Sequence, residues 1–563
     1  MTGVHELKTT ADLIKASILE GLENSIKSGE LPAIVTNDAS VERPQNPEHG
    51  NFASSLPMKL ARQIKMPPTD IARIISTHMT PTDLIRNTQI APPGFINIFL
   101  NKSWLLGQVR EIQKNRDYFF EDKKTGKGKI QVEYVSANPT GRLHIAHARG
   151  AVVGSTIAKL FRFSGYEVEE EYYLNDAGSQ IDNFNSSLLK RYKQEFGIDD
   201  PIIDNEYPGE DLITIAKQIK SMHGDKFLNL ATDKALIEIG KLGNIFIIEG
   251  ITEDVKSLRI IFDNWFSEKS LIETGQLKNC MDELKDRGLV EHKDGATWLL
   301  STKLGEEKDN VLVRSTGSPS YFATDIAYHH NKFTKRNFDR VIDVWGADHQ
   351  GQVPRLKSAL SALGSNPENL DMVLVQMVRF KKGETSEKLS KRKGNIIPLI
   401  DLVEEIGADA CRFMFLSRSH DSQLDFDLEL AKKASAENPV YYVQYAHARI
   451  CSLIDLAAQK NIDFSNASLN TIEHKSELDL LNKMLELPEV VETAVTNLEP
   501  HHLPYYSIDL ANYFHNFYQN CRVISENDEN ADVTIDRLAL VSSVRVVLKK
   551  CLDLMGMQSP EKM

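Results

Sequence analysis

Residues 131–147, QVEYVSANPTGRLHIAH, carry the pattern that decides the fold. Residues 131–136 suit a buried strand, and the turn formers Asn138 to Gly141 predict a tight loop. From His144 onward apolar residues recur at helical spacing, and the run Val168–Leu174 predicts a second strand. In such a strand–loop–helix–strand unit the loop lies at the carboxyl end of the first strand, where open parallel sheets bind nucleotides.

A histidine pair stands at the predicted start of that helix. His144 and His147 are three residues apart and therefore share one helix face. Imidazole N–H groups there can donate to phosphate oxygens beside the free backbone N–H groups of the helix start. Surface or metal-binding histidines are the alternative, although the helical zinc motif needs a spacing of four with a Glu between. The pair alone leaves phosphate binding and a plain surface position open.

The bulk properties bound the class of protein. A chain of 563 residues predicts three or four domains. With 41% hydrophobic and 26% charged residues it has the composition of a soluble globular protein. No run approaches the ~20 apolar residues of a membrane span, and the N-terminus lacks the layout of a signal peptide. We therefore expect a cytoplasmic protein with no membrane partner.

The cysteines and the net charge exclude two further classes. The five cysteines are scattered and form no Cys-x-x-Cys pair, so neither a disulfide framework nor a zinc knuckle is indicated. A net charge of −13 argues against a general nucleic-acid coat. A specific RNA ligand stays possible, because phosphate contacts need only a local basic patch.

The pattern along the chain predicts three domains. Residues 1–115 suit a small N-terminal α/β domain, and residues 116–435 suit an α/β domain with a doubly wound parallel sheet of the Rossmann type. Residues 183–275 are polar and helical in pattern, as expected of an insertion between the halves of that sheet. Residues 436–563 predict an all-helical domain.

A second stretch with candidate chemistry is residues 378–395, VRFKKGETSEKLSKRKGN, which follows a predicted buried strand, Met372–Val378. Cationic runs are usually solvated patches, but this one ends a strand of the nucleotide-binding sheet. Another strand, Val341–Trp345, leads to Asp348, which can accept from ribose hydroxyls or merely cap a helix.

Residues 132–154, VEYVSANPTGRLHIAHARGAVVG, resemble the signature segment of arginyl-tRNA synthetases, class I enzymes with a His-x-Gly-His motif. Ala146 stands where that family usually has glycine. Lys388-Leu389-Ser390-Lys391-Arg392 is similar to the class I Lys-Met-Ser-Lys-Ser loop, departing from it at the second and the last position. The resemblance extends over the whole chain and is weakest in residues 183–275.

The resemblance implies that L-arginine is activated with ATP, Mg²⁺ bridging the phosphates, and is then transferred to the 3′-terminal adenosine of tRNA(Arg). The implied catalytic residues are His144, His147, Lys388 and Lys391. ATP would be bound by these four with Pro139, Thr140, Gly141, Ala146, Asp348, His349 and Ser390. L-arginine would be bound by Glu133, Ser136, Asn138, Tyr321 and Asp325. A guanidinium partner would also explain Glu133 in a buried strand, where an unpaired carboxylate is costly.

The resemblance also implies two tRNA-contacting domains, one at each end of the chain, in a protein expected to be a monomer. In the C-terminal domain Tyr441, Tyr445, Phe514 and Tyr518 are candidates to stack on unpaired bases. Aromatic residues at helical spacing are more often core. Two other functions stay open: a small-molecule nucleotidyltransferase, which needs no RNA-binding domain, and a non-catalytic RNA-binding relative, which would have lost part of the histidine and lysine set.

Overall fold

The computed structural model describes residues 9–36, 38–116, 126–203, 207, 209–380, 397–525 and 531–563. Its N-terminal part is an α/β layer whose strands pair antiparallel in the order β1-β2-β4-β3. The first helix begins at a capping box, in which Thr9 and Asp12 each accept from the other's backbone N–H. The elements are α1 (Thr10–Lys27), β1 (Val41–Glu42), β2 (Phe52–Ser54), α2 (Leu56–Ile64), α3 (Pro68–His78), β3 (Ile85–Ala91), β4 (Phe95–Leu100) and α4 (Lys102–Lys114).

The central part is an α/β domain with two sheets. Its elements are β5 (Lys129–Glu133), α5 (Ile145–Phe163), β6 (Glu167–Leu174), α6 (Ser179–Gln194), α7 (Glu210–His223), α8 (Thr232–Ser257), β7 (Asn264–Ser267), α9 (Glu268–Glu273), α10 (Gln276–Asp286), β8 (Val290–Lys293), β9 (Ala296–Leu299), β10 (Asn310–Val313), α11 (Tyr321–Thr334), β11 (Arg340–Gly346), α12 (Val353–Ala362) and β12 (Leu370–Val375). Strands β8 to β10 form a small antiparallel sheet beside the main one.

The main sheet has the order β12-β11-β5-β6-β7, and all of its neighbouring strands are parallel. The chain runs outward from β5 through β6 and β7, then returns to the other side of β5 at β11. The strand order therefore reverses between β5 and β11, which is the position where doubly wound sheets bind ligands. The predicted Rossmann-type fold is confirmed.

The remaining elements connect the sheet to a helical C-terminal domain, as predicted. Strand β13 (Val378–Phe380) pairs in parallel with β14 (Leu424–Phe426), apart from the main sheet. Short helices follow: α13 (Leu399–Ile406), α14 (Ala408–Leu416) and α15 (Leu428–Lys432). The C-terminal helices are α16 (Pro439–Gln459), α17 (Lys475–Met484), α18 (Leu487–Asn497), α19 (His502–Asn520) and α20 (Ala531–Leu554). No helix of the described ranges is long and apolar enough to cross a membrane.

Three sequence-based boundaries differ from the structure. The strand predicted at residues 131–136 ends at Glu133, because the next residues turn sharply. The strand predicted at Met372–Val378 is two strands, β12 and β13, which pair with different partners. The mostly helical insertion predicted at residues 183–275 ends earlier, since Asn264–Ser267 form β7, an edge strand of the main sheet. Its short NWFS segment has no alternating pattern, so only its pairing with β6 reveals it.

One buried guanidinium joins three parts of the chain. Arg412 of α14 is fully buried. Its Nη1 donates to the Leu258 carbonyl at 2.9 Å, its Nη2 to Ser155 Oγ at 2.8 Å, and its Nε to the Met555 carbonyl. Burial lowers the pKa of Arg412 to about 10. The contact links α5, the end of α8 and the end of the last helix.

We expect Arg412→Leu to destabilise the protein by at least about 3 kcal/mol, because several buried acceptors would lose their donor. Urea denaturation followed by circular dichroism measures the change. Arg287→Leu is the matched control: Arg287 also donates to a backbone carbonyl, of Ala362 at 2.8 Å, but its side chain is 43% exposed. A cost within about 1 kcal/mol is expected there. Equal costs for the two variants would contradict the joining role of Arg412.

Candidate active site

The loop after β5 is held in a strained turn. Val135 and Ser136 have φ angles of 69° and 40°, in the left-handed region that β-branched residues rarely adopt. Ser136 Oγ donates to Glu133 Oε1 at 2.8 Å and accepts from the Tyr173 N–H at 3.1 Å. The Tyr172 hydroxyl donates to the Ala137 carbonyl at 2.9 Å. These bonds from β6 fix the loop, and strain of this kind is typical of binding sites.

The histidine pair stands at the N-terminus of α5, as predicted. The backbone N–H of His144 donates to Nδ1 of His147 at 3.3 Å, and the two ring centroids are 4.0 Å apart. Because Nδ1 of His147 accepts, the ring proton is on Nε2, which is left as a donor. Burial lowers the pKa of His147 to about 4 and also lowers the pKa of His144. His147 is therefore a neutral donor beside the free N–H groups of a helix start.

Residues on the C-terminal side of the cationic stretch pair with this histidine segment. The Ile145 N–H donates to the Ile397 carbonyl at 3.0 Å, and the Leu399 N–H donates to the Leu143 carbonyl at 2.9 Å. The predicted Lys388, Ser390 and Lys391 lie outside the described residues. Ile397, the first described residue after them, nevertheless lies directly beside His144.

The N-terminal side of that stretch is tied to the same helix. Arg149 of α5 is buried, and its guanidinium donates to the carbonyls of Gln376, Ser419 and Ser422 at 3.0, 2.7 and 2.7 Å. Gln376 lies between β12 and β13, whereas the two serines precede β14. The helix that carries the histidines therefore also holds the strand pair β13 and β14.

Glu133 is neutralised inside the protein. Its Oε2 accepts from Lys332 Nζ at 2.6 Å, and the same ammonium donates to Asp343 Oδ1 at 2.8 Å. Asp343 Oδ2 lies 2.6 Å from His329 Nε2. All four side chains are buried. The premise that Glu133 lacks a protein partner is wrong, because Lys332 supplies one.

Two further acids beside this network have no such cation. Asp325 of α11 has no side-chain hydrogen bond or ion pair with any residue that the structure describes. Its loss of water raises the pKa of Asp325 to about 6, as does the nearby Glu133, against the opposite influence of His329 and Arg355. Glu268, at the end of β7, is buried, and within the described ranges its Oε2 lacks a hydrogen-bond partner. Burial raises the pKa of Glu268 to about 7; a hydrogen bond with Thr324 lowers this pKa, whereas the charge of Asp325 raises it further.

The other predicted site residues lie at the same carboxyl-terminal end of the strands. Tyr321 begins α11, one turn before Asp325, and is 47% exposed. Asn138 is exposed and donates to Gln180 Oε1 at 2.6 Å. Asp348 and His349 belong to a 3-10 turn, Ala347–Gln352, at the end of β11, and both are exposed. Along the histidine loop Ala146 is exposed, Pro139 is buried, and Thr140 and Gly141 are half-buried.

In the C-terminal domain a row of aromatic rings lies across α16 and α19. The rings of Tyr441 and Tyr445 are 6.1 Å apart and nearly parallel, and those of Tyr445 and His515 are 6.0 Å apart. Arg449 donates to the Tyr445 hydroxyl at 2.7 Å and lies 4.2 Å over the Tyr518 ring. We call Tyr441, Tyr445, His515 and Tyr518 the aromatic row.

Phe514 does not belong to the aromatic row. Its side chain is fully buried in the helical core, so the prediction that it stacks on a base is wrong. Helical spacing alone could not separate it from Tyr518, because the two residues are one turn apart and share a face. Its neighbour His515 lies in the row instead, and sequence reasoning did not include it.

Three family models match consecutive parts of the chain. The Arginyl tRNA synthetase N terminal domain matches residues 12–100, tRNA synthetases class I (R), catalytic domain, matches 108–454, and the DALR anticodon binding domain matches 443–563. An arginine–tRNA ligase of Dehalococcoides mccartyi strain CBDB1 is 49% identical over 98% of this chain and 99% of its own length. This chain belongs to the arginyl-tRNA synthetases.

Other comparisons agree with that family. An arginine–tRNA ligase of Caldanaerobacter subterraneus is 44% identical to this synthetase over 98% of either chain. The arginyl-tRNA synthetase structure of Thermus thermophilus superposes with a TM-score of 0.76, covering 98% of this chain and all of that one. At 20% identity that likeness supports the fold alone. The chain is a class I tRNA ligase, an enzyme of translation.

Sequence reasoning missed the charges that surround the arginyl-tRNA synthetase site. Asp343 and Lys332 each had a signal, since both interrupt apolar patterns that predict burial. The pairing of Lys332 with Glu133 had none, because the two residues are 199 positions apart in the chain. Glu268 had no signal at all, since the strand β7 before it was not recognised.

The low pKa of His147 makes the stability of this synthetase depend on pH. The pKa in the folded protein, about 4, lies below the ordinary value of 6.5. The unfolded chain therefore binds more protons between these values, and stability falls as the pH drops from 6.5 toward 4, by about 2 kcal/mol at pH ~5. His147→Asn, which keeps an acceptor near the Nδ1 position, should lose this part of the dependence.

Urea denaturation at about pH 7.5 and pH 5 measures the effect as the difference between wild type and variant. His292→Asn is the control, because His292 is exposed on β8. An identical pH dependence for His147→Asn and wild type would mean that His147 is not buried neutral.

Proposed function

We propose that this synthetase activates L-arginine with ATP to arginyl-adenylate and then transfers the arginine to the 3′-terminal adenosine of tRNA(Arg). The observation that carries the proposal is a pair of acids, Asp325 and Glu268, that form no ion pair with a described residue. They lie at the carboxyl-terminal end of the sheet's strands, where His144 and His147 also lie. The test is ATP consumption by the purified chain. It should require both arginine and tRNA, whereas a small-molecule nucleotidyltransferase would turn over without tRNA and a non-catalytic relative not at all.

The acids suit a guanidinium. Arginine presents a planar fork of donors that matches carboxylates. Burial raises the pKa of Asp325 and Glu268, which disfavours their charged forms, and an arriving cation would favour those charged forms again. Buried acids left without a partner reject an analogue that lacks the donors. Tyr321 would lie beside the guanidinium, and Glu133, already paired with Lys332, would serve the arginine site by orienting Ser136 through their hydrogen bond.

The reaction needs positioning and neutralisation of phosphate charge. The arginine carboxylate attacks the α-phosphate and pyrophosphate leaves, with little covalent help from protein groups. Ser136 and Asn138 would orient the α-amino and carboxylate groups of the substrate. Nε2 of His147, with His144 and the N-terminus of α5, would donate to the phosphates. Pro139 to Gly141 and Ala146 would border the nucleotide.

The remaining nucleotide contacts would come from two other segments. Asp348 and His349 end a strand beside β5, so they suit the ribose hydroxyls. Lys388, Ser390 and Lys391 would approach the phosphates from the opposite side to the histidines. The pairing of Ile397 with Ile145 supports this proposal, because Ile397, the first described residue after that segment, lies beside the histidine pair.

Mg²⁺ would arrive with the triphosphate and offset its charge. Glu133, His329 and Asp343 bring ligand atoms within 4.8 Å of one another. They do not fit a resident Mg²⁺, because the Lys332 ammonium already bonds both carboxylates. We assign no step to a metal bound there.

The wider organisation follows the same proposal. The protein would have domains at residues 1–115, 116–435 and 436–563, of which the first and the last would contact tRNA. The protein would act as a monomer in the cytoplasm, where tRNA is charged. Light scattering on the purified protein measures the oligomeric state.

We expect Asp325→Asn to weaken arginine binding more than tenfold with ATP affinity nearly unchanged, because a charge-assisted hydrogen bond contributes about 1.5–3 kcal/mol. Glu268→Gln should act in the same direction. The Michaelis constants for arginine and ATP, measured with tRNA present, test this. Asp282→Asn, at an exposed ion pair of α10, is the control. Equal losses for both substrates would remove Asp325 from the arginine pocket.

The aromatic row gives a separate prediction. Stacking of one base on an aromatic ring contributes about 1–3 kcal/mol, so Tyr445→Ala should raise the Michaelis constant for tRNA at least fivefold and leave that for arginine unchanged. Tyr513→Ala is the control, since Tyr513 is an exposed tyrosine of α19 outside the row. If the two variants behave alike, the row does not contact tRNA.

A further inference from the structure

The helical insertion reaches the residues that immediately precede the histidine pair. Asp254 of α8 is fully buried. Its Oδ2 accepts from Arg142 Nε at 2.9 Å and its Oδ1 from Arg142 Nη2 at 2.7 Å. Oδ2 also accepts from the backbone N–H of Leu143 at 2.9 Å. This bidentate pair with an added backbone bond is among the stronger arrangements that a carboxylate makes.

Helix α8 leaves room for the side chain of Arg142. Gly250 lies one turn before Asp254 on the same face. A Cβ added at Gly250 would lie only 2.7 Å from Arg142 Cδ, so the absent side chain leaves the space that the arginine stem occupies. Helix α7 adds a second contact, in which Asp211 Oδ2 accepts from the backbone N–H of Arg142 at 3.4 Å.

Leu143 is therefore held through both of its backbone polar groups. Its N–H donates to Asp254, and its carbonyl accepts from the Leu399 N–H. The next residue is His144, whose own N–H fixes the ring of His147. The position of the histidine pair thus depends on a carboxylate of the insertion more than 100 residues away in the chain.

The charges indicate what Arg142 does. A buried carboxylate bonded to the residue just before His144 would repel a triphosphate if it were not neutralised. Arg142 neutralises Asp254 and is itself held, with its pKa raised first of all by the hydrogen bond to Asp254. Arg142 is thereby committed to the insertion and is not a free phosphate ligand, although it lies within the signature segment.

We propose that Asp254 is a positioning residue for ATP, and that the insertion of α6 to α8 serves as the clamp that sets the histidine pair in place through Arg142 and Leu143. The proposal rests on the proposed function, since it assigns the insertion a part in the ATP step of that reaction. No residue predicted to bind ATP or arginine lies in these three helices, so the clamp acts only through the loop.

The first test is Asp254→Asn, assayed by arginine-dependent ATP–pyrophosphate exchange with tRNA present. The Michaelis constant for ATP should rise at least tenfold, and that for arginine should change less than threefold. The matched control is Asp200→Asn. Asp200 belongs to the same insertion, and its ion pair with Lys193, at 2.8 Å, lies within the insertion. It should leave both constants within twofold of wild type.

The second variant, Gly250→Ala, leaves every charge intact and displaces Arg142 by steric contact alone. It should reproduce the rise in the Michaelis constant for ATP. Gly107→Ala is its control, because a Cβ on this helical glycine would meet no atom within 4 Å. Thermal unfolding of all four variants separates positioning from stability.

Three outcomes overturn the proposal: an unchanged Michaelis constant for ATP in both test variants, a parallel rise in the constants for ATP and arginine, or loss of folding in both. The last would mean that the contact serves stability alone. An inactive wild-type protein would instead refute the proposed function, so the two failures are distinguishable.

Discussion

A row of buried carboxylates crosses the centre of the sheet, and the catalytic domain depends on its neutralisation. Asp343 of β11 pairs in register with Glu133 of β5, which pairs in turn with Glu171 of β6. All three are buried. Burial would raise the pKa of Asp343, yet the adjacent Lys332 and His329 lower it to about 2. Lys332 bonds the first two acids, and Arg336 bonds the third. Removing one partner from such a pair costs about 3–5 kcal/mol.

These cations come from one short stretch of chain. Helix α11 brings Lys332 to the sheet, and Arg336 follows one turn later, just past its end. The same helix carries Asp325 two turns before Lys332, beyond the reach of either cation. Helix α11 and the residues just after it therefore pair with the acids inside the sheet, whereas Asp325, near the start of the same helix, pairs with neither cation. That contrast distinguishes the charges that stabilise the fold from those that can bind a cationic substrate.

Two buried arginines, which form no salt bridge with any residue that the structure describes, hold the larger parts of the protein together. Arg149 donates to carbonyls around β13 and β14, and Arg412 joins α5, α8 and the C-terminal helices. Arg149 lies on α5, the helix of the histidine pair, and Arg412 lies on α14, which packs against α5. A planar guanidinium with five donors can satisfy several carbonyls at once, which a lysine ammonium cannot do in the same geometry. These directional hydrogen bonds connect the helix of the histidine pair to β13 and β14, to the end of α8 and to the end of the last helix.

The sequence by itself determined the fold class, the family and most of the elements, because apolar periodicity, turn residues and the segment 132–154 are local features of the chain. It also determined where His144 and His147 lie, since a helix start follows directly from its neighbours. Only the tertiary structure decided which charges are paired. Lys332 with Glu133, and Arg142 with Asp254, are separated by 199 and 112 residues. The edge strand β7, and with it Glu268, was likewise invisible in the sequence. Pairing and burial depend on distances across the fold, which no local pattern encodes.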